Sequence, residues 1–495
     1  MPLYRQIVAP GSYVLENSQS YNYLTEKHLQ IIWFEQKLLK NLYNSEGELI
    51  EIISPGIWNT GAGPDFLKAH LRMGKKEYKG DVEIHINPEG WYAHGHQLDA
   101  RYNQVILHLA YTSSIHCEKI FKQDGQSVLS LPLYNCLKVK LEQLLKEIDI
   151  EIYPYKQFTQ AGHCAENLFK ALPILQVKEF FKSAALWRLE KKSDYLKFRA
   201  SASSAQFILG LALALGYKHN AEAFSDLYES LSEYQYLSEN ELLAIGMGAS
   251  GFFNGKHPKH WESSTVYQHL RDLWWHYQSE IPLQVNFRLD AVRPLNHPLR
   301  RLVYLVKILS SSSPKLLWDK MLRLWKSHFS WMQTEKHVLH LQKLLLDAIP
   351  VYSDNYWNSH FNFEKEPYSQ HLSLMGEDLK REILINAFLP LLYANIQETA
   401  EVKELTAFSN LYAGFKFANT SKTRYLRQRF FNDSNQHLLK SAQIEQGAYQ
   451  LHKDFCLQFE SSCEGCPFVE RMQSQQLIPN PRNKSINSSN LMGIF

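Results

Sequence analysis

The apolar residues of this chain change their spacing once, and that change limits the fold more than any other feature. Up to about residue 155 they fall in short strand-like runs at 48–54, 66–73, 78–87, 103–111 and 127–133. Between the second and third runs, Gly74-Lys75-Lys76 reads as a hairpin turn. A helix precedes them, with Thr25 as its cap before Glu26-Lys27-His28 and an apolar-periodic run to Tyr43. From about residue 160 to 450 the runs carry helical spacing, at 179–197, 204–216, 239–253, 298–310, 315–330, 334–348, 379–392 and 399–413. The expected fold is an α+β (or α/β) N-terminal domain with a mixed sheet over residues 1–155, then a large all-α domain over 156–445. Residues 446–470 read as a Cys/His metal-binding hinge, and the polar, proline-bearing 471–495 as a disordered tail.

Composition excludes several classes. A chain of 495 residues is too long for one ordinary core, and 45% hydrophobic against 21% charged residues is the balance of a globular protein. The formal charge of +3 gives no general field for polyanions, so a nucleic-acid surface would be a local patch. The stretch 422–431, with Lys422, Arg424, Arg427 and Arg429 among aromatics, is the candidate for one, although an amphipathic helix with snorkelling cations has the same text. Six cysteines do not make a secreted disulfide framework. The N-terminus lacks the apolar core of a signal peptide, and the most apolar run, 207–217, is about half a bilayer span. A cytoplasmic protein with reduced thiols and no membrane segment is expected, its oligomeric state open.

The densest functional residue types lie between Asn59 and His108. In Gly80-Asp81-Val82-Glu83-Ile84-His85-Ile86, alternation puts Asp81, Glu83 and His85 on one strand face and the aliphatic residues on the other. Two acids and an imidazole in a row need a cation or solvent to compensate them, so the row is either a metal site or a solvated sheet face. Asp65, after Gly61-Ala62-Gly63-Pro64, would come near Glu83 if the two strands pair antiparallel. Glu35 lies on the apolar line Ile31, Glu35, Leu38, Leu42, at its edge or pointing into a polar site. Next, His94-Gly95-His96 followed by Asp99 has the spacing of nitrogen and oxygen ligands to zinc, manganese or iron. His108, inside an apolar strand, reads as a satisfied core histidine.

Pro64-Asp65 followed by Glu83-Ile84-His85 resembles the PD-(D/E)xK nuclease superfamily, with Glu35 as the helix acid. The resemblance implies that Asp65 and Glu83 hold Mg²⁺ or Mn²⁺ for phosphodiester hydrolysis of DNA or RNA, although His85 stands where the lysine belongs. Lys68 or Lys79 would then have to supply the positive charge. Over a wider span, NxGxGPDF (59–66), GDVEIH (80–85), WYxHGHxxD (91–99), RYNxVILH (101–108) and the segments 214–218, 242–253 and 293–301 resemble an uncharacterised bacterial family, domain of unknown function 2851. That family brings no assigned activity. The leading expectation is a metal-dependent nuclease. One alternative is another hydrolase whose metal is held by His85, His94, His96 and Asp99, and a second is a binding scaffold on a degenerate nuclease fold.

At the other end, His452, Cys456, Cys463 and Cys466 give His-x₃-Cys-x₆-Cys-x₂-Cys, four donors suited to a structural zinc ion. The cysteine run also resembles the iron–sulfur loop of endonuclease-III-like DNA glycosylases. Position 472 is Met rather than the fourth cysteine, so a cluster would need His452 or a distant thiol. Cys117, Cys136 and Cys164 are scattered and carry no assigned role. The glycines of Gly246 to Gly251 read as close helix packing rather than a phosphate loop, and Arg300 and Arg301 follow a helix start at Pro298.

Overall fold

A computed structural model describes residues 3–8, 24–44, 46–59, 63–113, 119–148, 150, 153, 161–217, 220–255, 257–281, 285–287, 289, 296–311, 314–364, 367–399, 401–416, 420–431, 436–457, 463 and 466–474. The expected disordered tail lies outside these residues from 475 onward, as does Arg293.

Among the described residues the N-terminal part forms an eight-stranded mixed sheet. Its strands are β1 (Leu42–Tyr43), β2 (Leu49–Ser54), β3 (Ile57–Trp58), β4 (Phe66–Met73), β5 (Lys76–His85), β6 (Val105–Ala110), β7 (Lys119–Phe121) and β8 (Ser127–Pro132). They lie in the order β1-β2-β4-β5-β6-β8-β7, with β3 also on β4. The β4–β5 hairpin is antiparallel and turns at Gly74, whereas β5–β6 and β6–β8 are parallel. Gly80 is required where β5 meets β6, because a Cβ there would fall 2.4 Å from the Gln104 carbonyl oxygen and 2.5 Å from Ile106 Cγ2.

Both faces of the central strands are covered. Val82, Ile84, Leu107, Leu109 and Leu131 pack against Leu29, Ile31, Ile32 and Trp33 of the helix Glu26–Glu35. The opposite face, carrying Glu83, His85, His108 and Ser130, lies under the segment 88–104 with Trp91 and Tyr102, which pack against Val105 and Val128. The helix is shorter than the expected run to Tyr43. Gln36 turns left-handed at φ 58° and closes it, and Leu42–Tyr43 pairs with Leu49–Ile50 as a sheet edge instead. The Asn44 side chain builds the intervening turn by accepting the N–H groups of Glu46 and Glu48.

The rest is helical. The long helix Ile174–Arg199 packs along Ala442–Leu451, so closely that a Cβ on Gly447 would sit 2.0 Å from the Phe181 carbonyl oxygen. Gly248 in Glu239–Ala249 likewise lets the Trp274 ring approach to where a Cβ would stand 2.0 Å from it, so the glycines of this segment serve helix packing. Pro298–Ser310 begins with its proline in the first turn, and its buried Arg300 and Arg301 bind the carbonyls of Leu372, Ser373 and Leu374. One boundary moves: the helix Leu3–Ile7 belongs with the helical region. Tyr4 and Ile7 sit in the core formed by Phe180, Phe181, Phe430 and Phe468, and the Tyr4 N–H donates to Ser183 Oγ at 2.8 Å. No single described helix is long and apolar enough to cross a membrane.

Candidate metal centre

Three strands and one covering segment build the site. Parallel pairing sets His108 of β6 beside Glu83 of β5, and Ser130 of β8 beside His108. Antiparallel pairing of Phe66 with Val82 carries Asp65, one residue earlier, to the level of Glu83. The segment after β5 then folds back through a short helix, Gly90–Ala93, and a 3-10 turn, His96–Leu98, which bring His94 and His96 over the end of β5. A side chain at Gly90 could not fit there, since its Cβ would meet His85 Cδ2 at 2.7 Å and Cγ at 2.8 Å.

The imidazoles form a chain with one open end. His108 Nδ1 lies 2.8 Å from Ser130 Oγ, and its Nε2 lies 2.9 Å from His85 Nδ1. His85 Nε2 faces His94 Nδ1 at 3.2 Å and Glu83 Oε1 at 3.6 Å, while His96 Nε2 approaches the same Glu83 oxygen at 3.3 Å. Among the described residues, His85, His94 and His96 are the one group of three or more donors whose ligand atoms all fall within 4.8 Å of one another. A tetrahedral ion with nitrogen bonds of about 2.0–2.1 Å sets its ligand atoms roughly 3.3 Å apart. The His85–His94, His85–Glu83 and His96–Glu83 spacings are of that size.

The electrostatics suit ligation. Burial, together with the neighbouring His108, His96 and His94, holds His85 well below the usual imidazole range. Burial and His96 bring His108 down to about 3. Both rings are therefore neutral at pH 7, the form that offers a lone pair to a cation. In the tautomers in which His108 donates to Ser130 Oγ and His85 Nδ1 donates to His108 Nε2, the His85 Nε2 lone pair faces the cluster. A histidine ligand braced through its second nitrogen is the usual support for a bound metal. His94 is exposed, which leaves one side of the cluster open to solvent.

Asp65 stands beside Glu83, as its spacing suggested, with its carboxylate turned to the backbone of β5 and to Gln30. Its backbone N–H donates to Glu83 Oε2 at 3.0 Å, and its own carboxylate accepts from the Ile84 N–H at 3.0 Å and from Gln30 Nε2 at 2.7 Å. Asp65 thus anchors Glu83, so that Oε1 turns to the histidines. Glu35 does not reach this site. It accepts from Tyr153 Oη and pairs with Lys37, and the helix sends Gln30 to Asp65 in its place. Five residues beyond Gln30, Glu35 is about 7.5 Å along the axis and turned roughly 140° away. Asp99 caps the 3-10 turn Ala100–Gln104 and is bound by Arg101, whose hydrogen bond holds its carboxyl below the ordinary range. It lies outside the histidine group. Lys68 is exposed and meets the strand through its backbone, the N–H donating to Asp81 Oδ1 at 3.0 Å, and Lys79 is exposed further back on β5.

The basic stretch resolves into separate roles. Arg424 is exposed, Arg427 is half-buried and Lys422 stands over the Tyr449 ring at 4.7 Å. Arg429 is 1% exposed and cannot serve a phosphate, because its guanidinium points inward to Cys463. His452 and Cys456 open and close one π-helical turn, and Cys456, Cys463 and Cys466 line a common cavity. His108 is the buried, hydrogen-bonded histidine that its apolar strand suggested. Ser130, Gln30 and Gly90 were missed: the first two depend on long-range pairing that local text does not encode, and Gly90 on the fold-back of its segment over His85.

Neither a curated protein nor a solved structure matches the chain. The family described as "Protein of unknown function (DUF2851)" matches residues 26–419, which include the whole histidine site and most of the helical region. The chain belongs to that family.

Proposed function

We propose that this protein is a divalent-metal-dependent hydrolase, with His85, His94 and His96 as metal ligands and phosphodiester bonds of nucleic acid as the substrate class. The observation that carries the reading is the convergence of three histidine donors within 4.8 Å, with Glu83 Oε1 beside two of them. A cation bound there would supply Lewis acidity and a water of lowered pKa. Glu83 is placed to accept the proton of that water, held in orientation by the Asp65 N–H. The exposed side of His94 gives substrate its approach. The phosphodiester assignment rests on the succession Pro64-Asp65 and Glu83-Ile84-His85 on adjacent strands.

The test compares wild type with His94→Ala and Glu83→Gln on single- and double-stranded DNA, RNA and a chromogenic phosphodiester, with Mg²⁺, Mn²⁺ or Zn²⁺ added. Metal-dependent cleavage is expected for wild type. His94→Ala should raise the metal concentration needed by at least ten- to a hundredfold, and Glu83→Gln should keep the metal but lose about 10²–10⁴-fold in turnover. A metal-loaded wild type that cleaves none of these substrates contradicts the reading.

A further inference from the structure

Four cysteines meet in one cavity, although Cys164 stands far from the other three in sequence. The cavity, of about 520 Å³, is lined by Cys164, Cys456, Cys463 and Cys466 together with Arg429 and apolar side chains such as Phe455 and Phe468. Cys164 directly precedes the π-helical turn Ala165–Phe169, and Cys456 ends the π-helical turn His452–Cys456. Such turns are rare in helices and gather at functional sites. Cys463 Sγ accepts from Arg429 Nη2 at 2.9 Å and from the His163 N–H at 3.2 Å, a contact between positions 300 residues apart. The described residues lining the cavity include Cys164 and not His452, whose ring packs edge-on against Tyr425.

We propose that Cys164, Cys456, Cys463 and Cys466 are the ligands of an iron–sulfur cluster, with Arg429 donating a hydrogen bond to the Cys463 thiolate. The choice of iron–sulfur over zinc rests on spacing. Among the described residues the one set of three or more donors drawn within 4.8 Å is the histidine group, so no three of these sulfurs lie that close together. A zinc tetrathiolate has sulfur–sulfur edges of roughly 3.8 Å. A cluster stands between its thiolates and holds them farther apart, and the cavity has room for it. Charge agrees with this assignment. Arg429 is 1% exposed and its Nη2 lies 2.9 Å from Cys463 Sγ, so a cluster-bound thiolate there would set an anion against a buried guanidinium. Burial pushes the free Cys456 thiol up to about 11 and raises Cys164 further from its ordinary range. Uptake of a preformed cluster by the four thiols releases four protons with no change in oxidation state. The cluster would join the beginning of the helical region to its end and close a long loop.

The test is anaerobic purification of the full chain, with iron, zinc and acid-labile sulfide measured by element and the visible and reduced-state EPR spectra recorded. Iron and sulfide in equal amounts, about two or about four of each per chain, support the proposal and separate a binuclear cluster from a cubane. Zinc at one per chain without sulfide overturns it, and that result needs no variant. Cys164→Ala should lose the cluster and its spectrum, whereas His452→Ala and Cys136→Ser should keep both. Retention in Cys164→Ala with loss in His452→Ala would overturn the ligand assignment. Melting curves recorded for each variant separate loss of ligation from loss of fold. Outcomes at this site leave the histidine site untouched, since the two share no residue.

Discussion

His108 shows how one buried side chain couples structure to pH. It is 0% exposed, joined to Ser130 and His85, and its pKa falls to about 3 against an unfolded value near 6.5. Between those values the unfolded chain binds more protons than the folded one, so this residue's contribution is complete above about pH 6.5 and is lost as pH falls toward 3. Glu445 works with the opposite sign. Burial raises it to about 7, so its protonated form is favoured in the fold and stability declines as pH rises from about 4.5 to 7. The difference between wild type and His108→Gln isolates the histidine. Melting temperatures taken from pH 7.5 to 4.5 should fall more steeply on acidification for wild type than for the variant. Parallel curves would contradict a neutral, buried His108. The candidate residues of β5 were legible, because period-two alternation is a local property. His108 read only as a core histidine, and its place beside Glu83 follows from parallel pairing across an intervening crossover.

At the scale of the element, the site is a strand end covered by a tight return. Gly90 begins that return at a point where the His85 ring occupies the space of a Cβ. Gly90→Ala should push the ring aside and cost about 1–3 kcal/mol of stability. It should also weaken metal binding, as titration calorimetry with Mn²⁺ or Zn²⁺ would register. Unchanged affinity and unchanged melting would show that the return is looser than described. Strand positions 49–54, 66–73 and 127–132 follow their sequence signals closely. Leu42–Tyr43, Ile57–Trp58 and Lys119–Phe121 were not anticipated, being two or three residues long and too short for a period. The π-helical turns were invisible for another reason. One extra residue in a turn leaves the apolar spacing almost intact, yet it re-aims the side chains beside it, here those of Cys164 and Cys456.

Over the whole molecule, the histidine group and the thiol cavity occupy two separate structural units. The histidine site is built within residues 26–130, on a sheet whose other face packs against the helix Glu26–Glu35 and against Leu137, Leu144 and Ile150. The thiol cavity lies in the smaller of two helical cores, which also takes in the N-terminal turn through Tyr4 and Ile7. The change of period near residue 155 made this division legible. The recruitment of residues 3–7 and of Cys164 did not show in the text, since both are tertiary contacts between distant segments. In the proposed function the histidines hold a divalent cation. Anomalous diffraction from crystals of the full chain grown with Mn²⁺ or Zn²⁺, with data on both sides of the metal edge, tests it most directly. One peak is expected among the His85, His94 and His96 rings, and none in crystals of His94→Ala. Well-ordered histidines with no peak between them at saturating metal would contradict it.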